Sequence, residues 1–171
     1  MTAVVTLSDL NAGSKDAFVA SLGGVVEDSA WVAERAWERR PFASIDALHD
    51  AMVDALSAAG ADAQLAVLRA HPDLGARIRM SEVSAGEQAG AGLDRLAPAE
   101  FERLQQLNHE YRERFGFPFL FAVKGATMHE VLAALERRRR SARDEEFGEA
   151  LRQVARIVRF RLESLIVVAG L

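Results

Sequence analysis

The sequence predicts an all-α fold: a single-domain bundle of about seven to nine helices over residues 1–171, with one extended Phe-Gly-Phe-Pro segment. Three observations carry that expectation. Nearly every segment repeats its apolar residues with the 3.6-residue period, none sustains strand alternation, and helix start and stop residues fall at the joints between periods.

Ser14 caps a short helix that ends at Gly23-Gly24. Ser29 opens a second, through Trp31 and Trp37, which stops before Pro41. Ser44 starts a third, with Ile45, Leu48, Met52 and Leu56 on one face and Gly60 as terminator. A fourth runs from Gln64 to Ala70, ended by Pro72. Residues 71–83 read as loop, and Ser84 to about Leu93 as a short helix weakened by Gly86, Gly90 and Gly92. Pro98 suits the first turn of a longer helix through Leu104, Leu107 and Tyr111, closed by Gly116. Residues 115–126 are extended, and Thr127 with Glu130 forms a capping box for a helix ending in the arginine run 137–140. The last helix begins near Ala142, places Asp144, Glu145 and Glu146 in its positive first turn, and runs to about Val168.

Composition excludes whole classes of function. Half the residues are apolar and 27% are charged, as in a globular domain. A net charge of −4 argues against nucleic acid as a partner, and the arginine run reads as a helix end. The absence of cysteine removes disulfide scaffolds, thiol nucleophiles and iron–sulfur centres. No apolar run approaches the length of a membrane span and the N-terminus lacks a signal-peptide layout, so a soluble, cytoplasmic protein is expected. The His-Glu pairs at 109 and 129 lack the second histidine of the zinc-protease pattern, so no metal is expected. No Walker loop, dinucleotide fingerprint or serine-hydrolase elbow is present.

Four residues remain conspicuous. His71, before Pro72, is either a proton donor and acceptor near neutral pH or a histidine facing the last carbonyls of a helix. Ser84 and Glu87 are either site residues or the two halves of a capping box. Arg161 sits about 60° from the centre of the apolar stripe of the last helix, where a permanently charged group needs a partner. Snorkelling to water, an internal ion pair and a substrate clamp all satisfy it.

Taken together, Arg69-Ala70-His71-Pro72-Asp73-Leu74, Ser84-x-x-Glu87-Gln88-x-x-Ala91-Gly92-Leu93, Leu107-Asn108-x-x-Tyr111-x-x-x-Phe115-Gly116-Phe117-Pro118-Phe119 and Val154-x-x-Ile157-x-x-x-Arg161-Leu162 strongly resemble one family. It is the 2-oxo-4-hydroxy-4-carboxy-5-ureidoimidazoline (OHCU) decarboxylases of the urate pathway, and the resemblance runs from about Leu7 to Ile166. It implies a cofactor-free carboxy-lyase, a homodimer, that yields (S)-allantoin from a small ureidoimidazoline carboxylate. It further implies that His71 and Glu87 are catalytic. Pro72, Ser84, Gln88, the segment Phe119, Leu120, Phe121, Ala122 and Val123, and Arg161 then contact substrate. Read without the resemblance, the same residues also suit a related cofactor-free lyase or hydrolase on a ureido or imidazole acid, or a helical interaction module.

Overall fold

The computed structural model describes residues 4–74 and 96–168. Among these residues the chain forms eight helices and one two-stranded sheet, so the all-α expectation is met. In chain order the elements are β1 (Val5–Thr6), α1 (Leu7–Ala12), α2 (Lys15–Leu22), α3 (Ala30–Trp37), α4 (Ile45–Ser57), α5 (Ala61–Ala70), α6 (Pro98–Phe115), α7 (Met128–Arg138), α8 (Arg143–Leu165) and β2 (Ile166–Val167). They group into two compact units, one reaching to Ala70 and resuming at Ala155, the other spanning His71–Val154.

In the first unit, helix starts are written in side chains. Ser14 accepts from the Ala17 N–H and Ser44 from the Ala47 N–H, each satisfying one of the donors a helix start leaves open. Ser29 precedes α3 without making such a bond. Helix α3 packs against both α2 and α4. Between them Phe18, Leu22, Val32, Ala36, Leu48 and Met52 are buried, and Phe18 stacks on Phe42 at 6.1 Å. The Asn11 side chain donates to the Phe42 carbonyl and accepts from the Phe42 N–H, both at 2.8 Å, doing for this loop what a strand partner would. His49 donates through Nε2 to the Ala155 carbonyl at 2.8 Å, and Arg159 pairs with Asp46 and Glu163.

Three features of this unit depart from the sequence reading. The last helix stops at Leu165 rather than near Val168, because Ile166 and Val167 pair in parallel with Val5 and Thr6. A two-residue strand is too short to show alternation. Helix α1 is also additional. Its capping box, Thr6 with Asp9, has Asp at the position where Glu or Gln is usual. Helix α5 starts at Ala61, three residues earlier than Gln64.

In the second unit, α6 carries Pro98 in its first turn and ends at Gly116, whose φ of 79° is the left-handed conformation that favours glycine at a helix end. Helix α7 opens with the Thr127–Glu130 capping box, both bonds present. It packs against α6. Leu104, Leu107, Tyr111 and Phe115 of α6 are buried, as are Val131, Ala134 and Leu135 of α7 and Ala150 and Val154 of α8. Residues 116–127 are non-helical, as Gly116 and Pro118 require. Their Phe117, Phe119, Leu120 and Ala122 are nonetheless buried.

Candidate active site

The second unit holds His71 and the aromatic segment. Helix α5 cannot continue through a residue that precedes proline, so His71 begins a turn. Its side chain is buried at 3% exposure, and Leu74 closes the same turn at 3%. Asp73 is tied to the body of the unit by Arg112 of α6. A single guanidinium nitrogen, Nη1, donates to both carboxylate oxygens at 2.9 and 2.8 Å. The Arg112 carbonyl also accepts the Gly116 N–H that closes α6. One residue therefore serves both the His-Pro-Asp turn and the start of the Phe-Gly-Phe-Pro segment.

That segment is an aromatic stack with a polar brace behind it. The Tyr111 ring lies 4.6 Å from Phe115, 6.0 Å from Phe117 and 5.3 Å from Phe119, in tilted or edge contacts. Phe117 also meets Phe147 edge-on at 5.9 Å and is wholly buried, so it packs as core. Phe119 stacks on Phe121 at 6.2 Å. Tyr111 donates its hydroxyl to Glu146 at 2.5 Å, and Arg138 donates through Nε to the same carboxylate oxygen at 2.7 Å. Nη2 of Arg138 lies 2.5 Å from that oxygen but out of line for a second hydrogen bond. From its other branch Arg138 donates through Nη1 to the Leu120 carbonyl at 2.8 Å, with the guanidinium 4.5 Å above the Phe119 ring. Both charged groups are almost fully enclosed, at 6% and 1% side-chain exposure. Such a pair is tolerable only with its hydrogen bonds made.

Electrostatics follow from that enclosure. Burial drives the Tyr111 hydroxyl far above the ordinary phenol range, and the bond to Glu146 adds to the effect. Two helical turns further along α8, Gln153 accepts the Ala122 N–H at 3.0 Å and donates to Glu149 at 2.8 Å. Burial pushes the Glu149 carboxyl upward, but the bonds from Gln153 and Arg152 outweigh it and hold Glu149 below the usual carboxylate range.

The predicted contact residues divide accordingly. Phe119, Leu120 and Ala122 are buried, while Phe121 and Val123 are half-buried, as is Pro72. The Ala122 N–H is engaged by Gln153. Ser84, Glu87 and Gln88 lie outside the described residues. Arg161 belongs to the first unit. There it donates through Nη1 to the Val25 carbonyl at 2.8 Å and through Nη2 to Glu27 at 2.7 Å. The internal ion pair that the position of Arg161 allows is thus formed, with Glu27.

Sequence reasoning passed over Arg138, Glu146, Gln153 and Glu27. Arg138 was hidden in a charge run, yet it continues the Val131, Ala134, Leu135 face of α7 at helical spacing. Glu146, Ala150 and Gln153 likewise share one buried face of α8. Glu27 sits in a turn between α2 and α3, where periodicity says nothing.

Known proteins place this architecture. The family profile described as OHCU decarboxylase matches residues 11–163. The 2-oxo-4-hydroxy-4-carboxy-5-ureidoimidazoline decarboxylase of Halalkalicoccus jeotgali is 48% identical over 163 residues, covering 95% of this chain and 93% of that protein. The protein of the same name from Haloferax volcanii is 47% identical, covering 92% and 94%. The structure is similar to a crystal structure of (S)-allantoin synthase, with a TM-score of 0.81, 36% identity and 97% of this chain covered. This chain spans 55% of that one. A crystal structure of OHCU decarboxylase in the presence of (S)-allantoin shares the fold, at a TM-score of 0.68 and 20% identity. The chain belongs to the OHCU decarboxylase family.

Proposed function

We propose that this chain is a carboxy-lyase that converts OHCU to (S)-allantoin and carbon dioxide in urate degradation. The observation that carries this reading is near-half identity, along almost the full length of both chains, to proteins named for that reaction. A buried histidine in the turn that the family motif marks is in keeping with it.

The chemistry asks little of a cofactor. When the bond from C4 to the carboxylate breaks, carbon dioxide leaves and the electron pair moves into the adjacent ring, whose imine nitrogen accepts it. The 4-hydroxyl then gives up its proton and becomes the carbonyl, the ring nitrogen takes up a proton, and a further proton is delivered to the carbon bearing the ureido group. The protein's work is orientation, charge placement and a proton arriving on one face. In this reading His71 is the general acid to that carbon. Glu87 accepts from the 4-hydroxyl or the ureido N–H groups, with Ser84, Gln88 and Pro72 as further contacts. The segment from Phe119 to Val123 lines the ring with apolar surface and backbone amides. Arg161 holds an anionic oxygen of the substrate by forked hydrogen bonds, sharing its guanidinium with Glu27. A homodimer completes the reading and is tested by sedimentation across a range of concentrations.

The deciding experiment supplies freshly generated OHCU and follows carbon dioxide together with the optical activity of the allantoin. Rapid appearance of the (S) enantiomer is expected. Racemic allantoin formed at the rate seen in buffer alone would exclude this activity.

A further inference from the structure

A buried arginine that spans a carboxylate and a main-chain carbonyl is an expensive way to stiffen a loop. Arg138 is 5% exposed and Glu146 1%, and replacing such a pair by apolar residues is often neutral or stabilising. Stability alone is therefore a weak reason for it. What the arginine does that an apolar residue cannot is fix the direction of one peptide group. Its Nη1 holds the Leu120 carbonyl at 2.8 Å, while Nε is anchored on Glu146 at 2.7 Å, itself steadied by the Tyr111 hydroxyl. The only cis peptide among the described residues is Arg40-Pro41, so the bond from Leu120 to Phe121 is trans. In a trans peptide the carbonyl and the N–H point in opposite directions. Holding the Leu120 oxygen toward Arg138 turns the Phe121 N–H away from it. A cation on the carbonyl also polarises the amide and strengthens that N–H as a donor. The next amide, Ala122, is already committed to Gln153.

We infer that Arg138 is a positioning residue for the decarboxylation, orienting and polarising the Leu120–Phe121 peptide so that the Phe121 N–H meets charge developing on the substrate. This rests on the reading that residues 119–123 line the substrate. A donor aimed in advance acts on the transition state more than on the ground state, so its loss shows in kcat rather than KM.

The test is Arg138→Lys, with Arg139→Ala as the control from the same arginine run, since Arg139 pairs with Glu110 instead. A single ammonium cannot occupy both the Nε and Nη1 positions, so Lys keeps the charge but loses one of the two contacts. With the helical circular dichroism unchanged, Arg138→Lys is expected to lower kcat at least about tenfold while KM stays within about twofold. Arg139→Ala is expected to match wild type. If Arg138→Lys does not fold, the double replacement Arg138→Met with Glu146→Leu removes both buried charges together and decides the case by the same criteria. A folded variant with wild-type kcat, or a loss merely proportional to the unfolded fraction, overturns this inference alone. Wild-type protein that forms no (S)-allantoin overturns it together with the proposed function.

Discussion

Arg112 reaches across from α6 to clasp Asp73, two residues beyond His71, so the turn that presents the histidine is anchored from outside itself. About half of the Arg112 side chain and 40% of Asp73 face solvent. The pair therefore contributes at most about 1 kcal/mol to stability. Arg112→Ala should barely move the thermal midpoint yet lower kcat several-fold, because the His71 turn loses its tether. Thermal melts and steady-state kinetics on the same preparation check this. Unaltered kcat would mean that Pro72 sets the turn unaided.

His71 itself offers a sharper contrast. Asn in its place keeps a polar side chain of similar size in a buried position, but it cannot donate a proton near neutral pH. His71→Asn should fold and lose roughly 10²–10⁴ in kcat. Near wild-type turnover in a well-folded variant would remove His71 from the chemistry.

Arg161 and Glu27 form an ion pair, and in the proposed function the substrate shares that arginine. Arg161→Lys retains the charge and loses the fork, and should raise KM about tenfold or more, or 1.4 kcal/mol. Glu27→Gln retains the shape and should lower the thermal midpoint while raising KM less than Arg161→Lys does. Equal effects on KM from the two variants would reduce Arg161 to a structural cation.

Tyr111 is the one tyrosine in the chain, so tyrosinate absorbance reports on it alone. Burial and then the bond to Glu146 raise its folded-state pKa. Below the unfolded value of about 10 both states keep the proton and the contribution to stability is whole. As pH rises further the unfolded chain releases the proton while the native protein keeps it, so stability falls. Alkaline titration should therefore show tyrosinate appearing together with loss of helical circular dichroism. Tyrosinate forming near pH 10 in a still-helical protein would contradict the buried contact. Tyr111→Phe should flatten this part of the stability profile.

Helices were legible because their signals are local. The caps at Ser14, Ser44 and Thr127, the Pro98 start and the Gly116 stop each rest on groups within four residues of one another, and the structure uses them all in place. Thr6–Asp9 shows the same logic with a less usual partner. The parallel pairing of Val5 with Ile166 had no such signal, because two residues joined from opposite ends of the chain leave no period in either. Arg161 stood out since its neighbours along the helix were apolar, but nothing nearby in the chain named Glu27, 134 positions away, as its partner.

Period, capping chemistry and motif order were enough to specify an all-helical member of this family and to single out His71 and Arg161, since each depends on neighbours along the chain. Which carboxylate answers which arginine was left to folding. Glu146 with Arg138, Asp73 with Arg112 and Glu27 with Arg161 are choices among many chemically equal carboxylates. Only burial and distance distinguish them, and neither exists until the helices have packed.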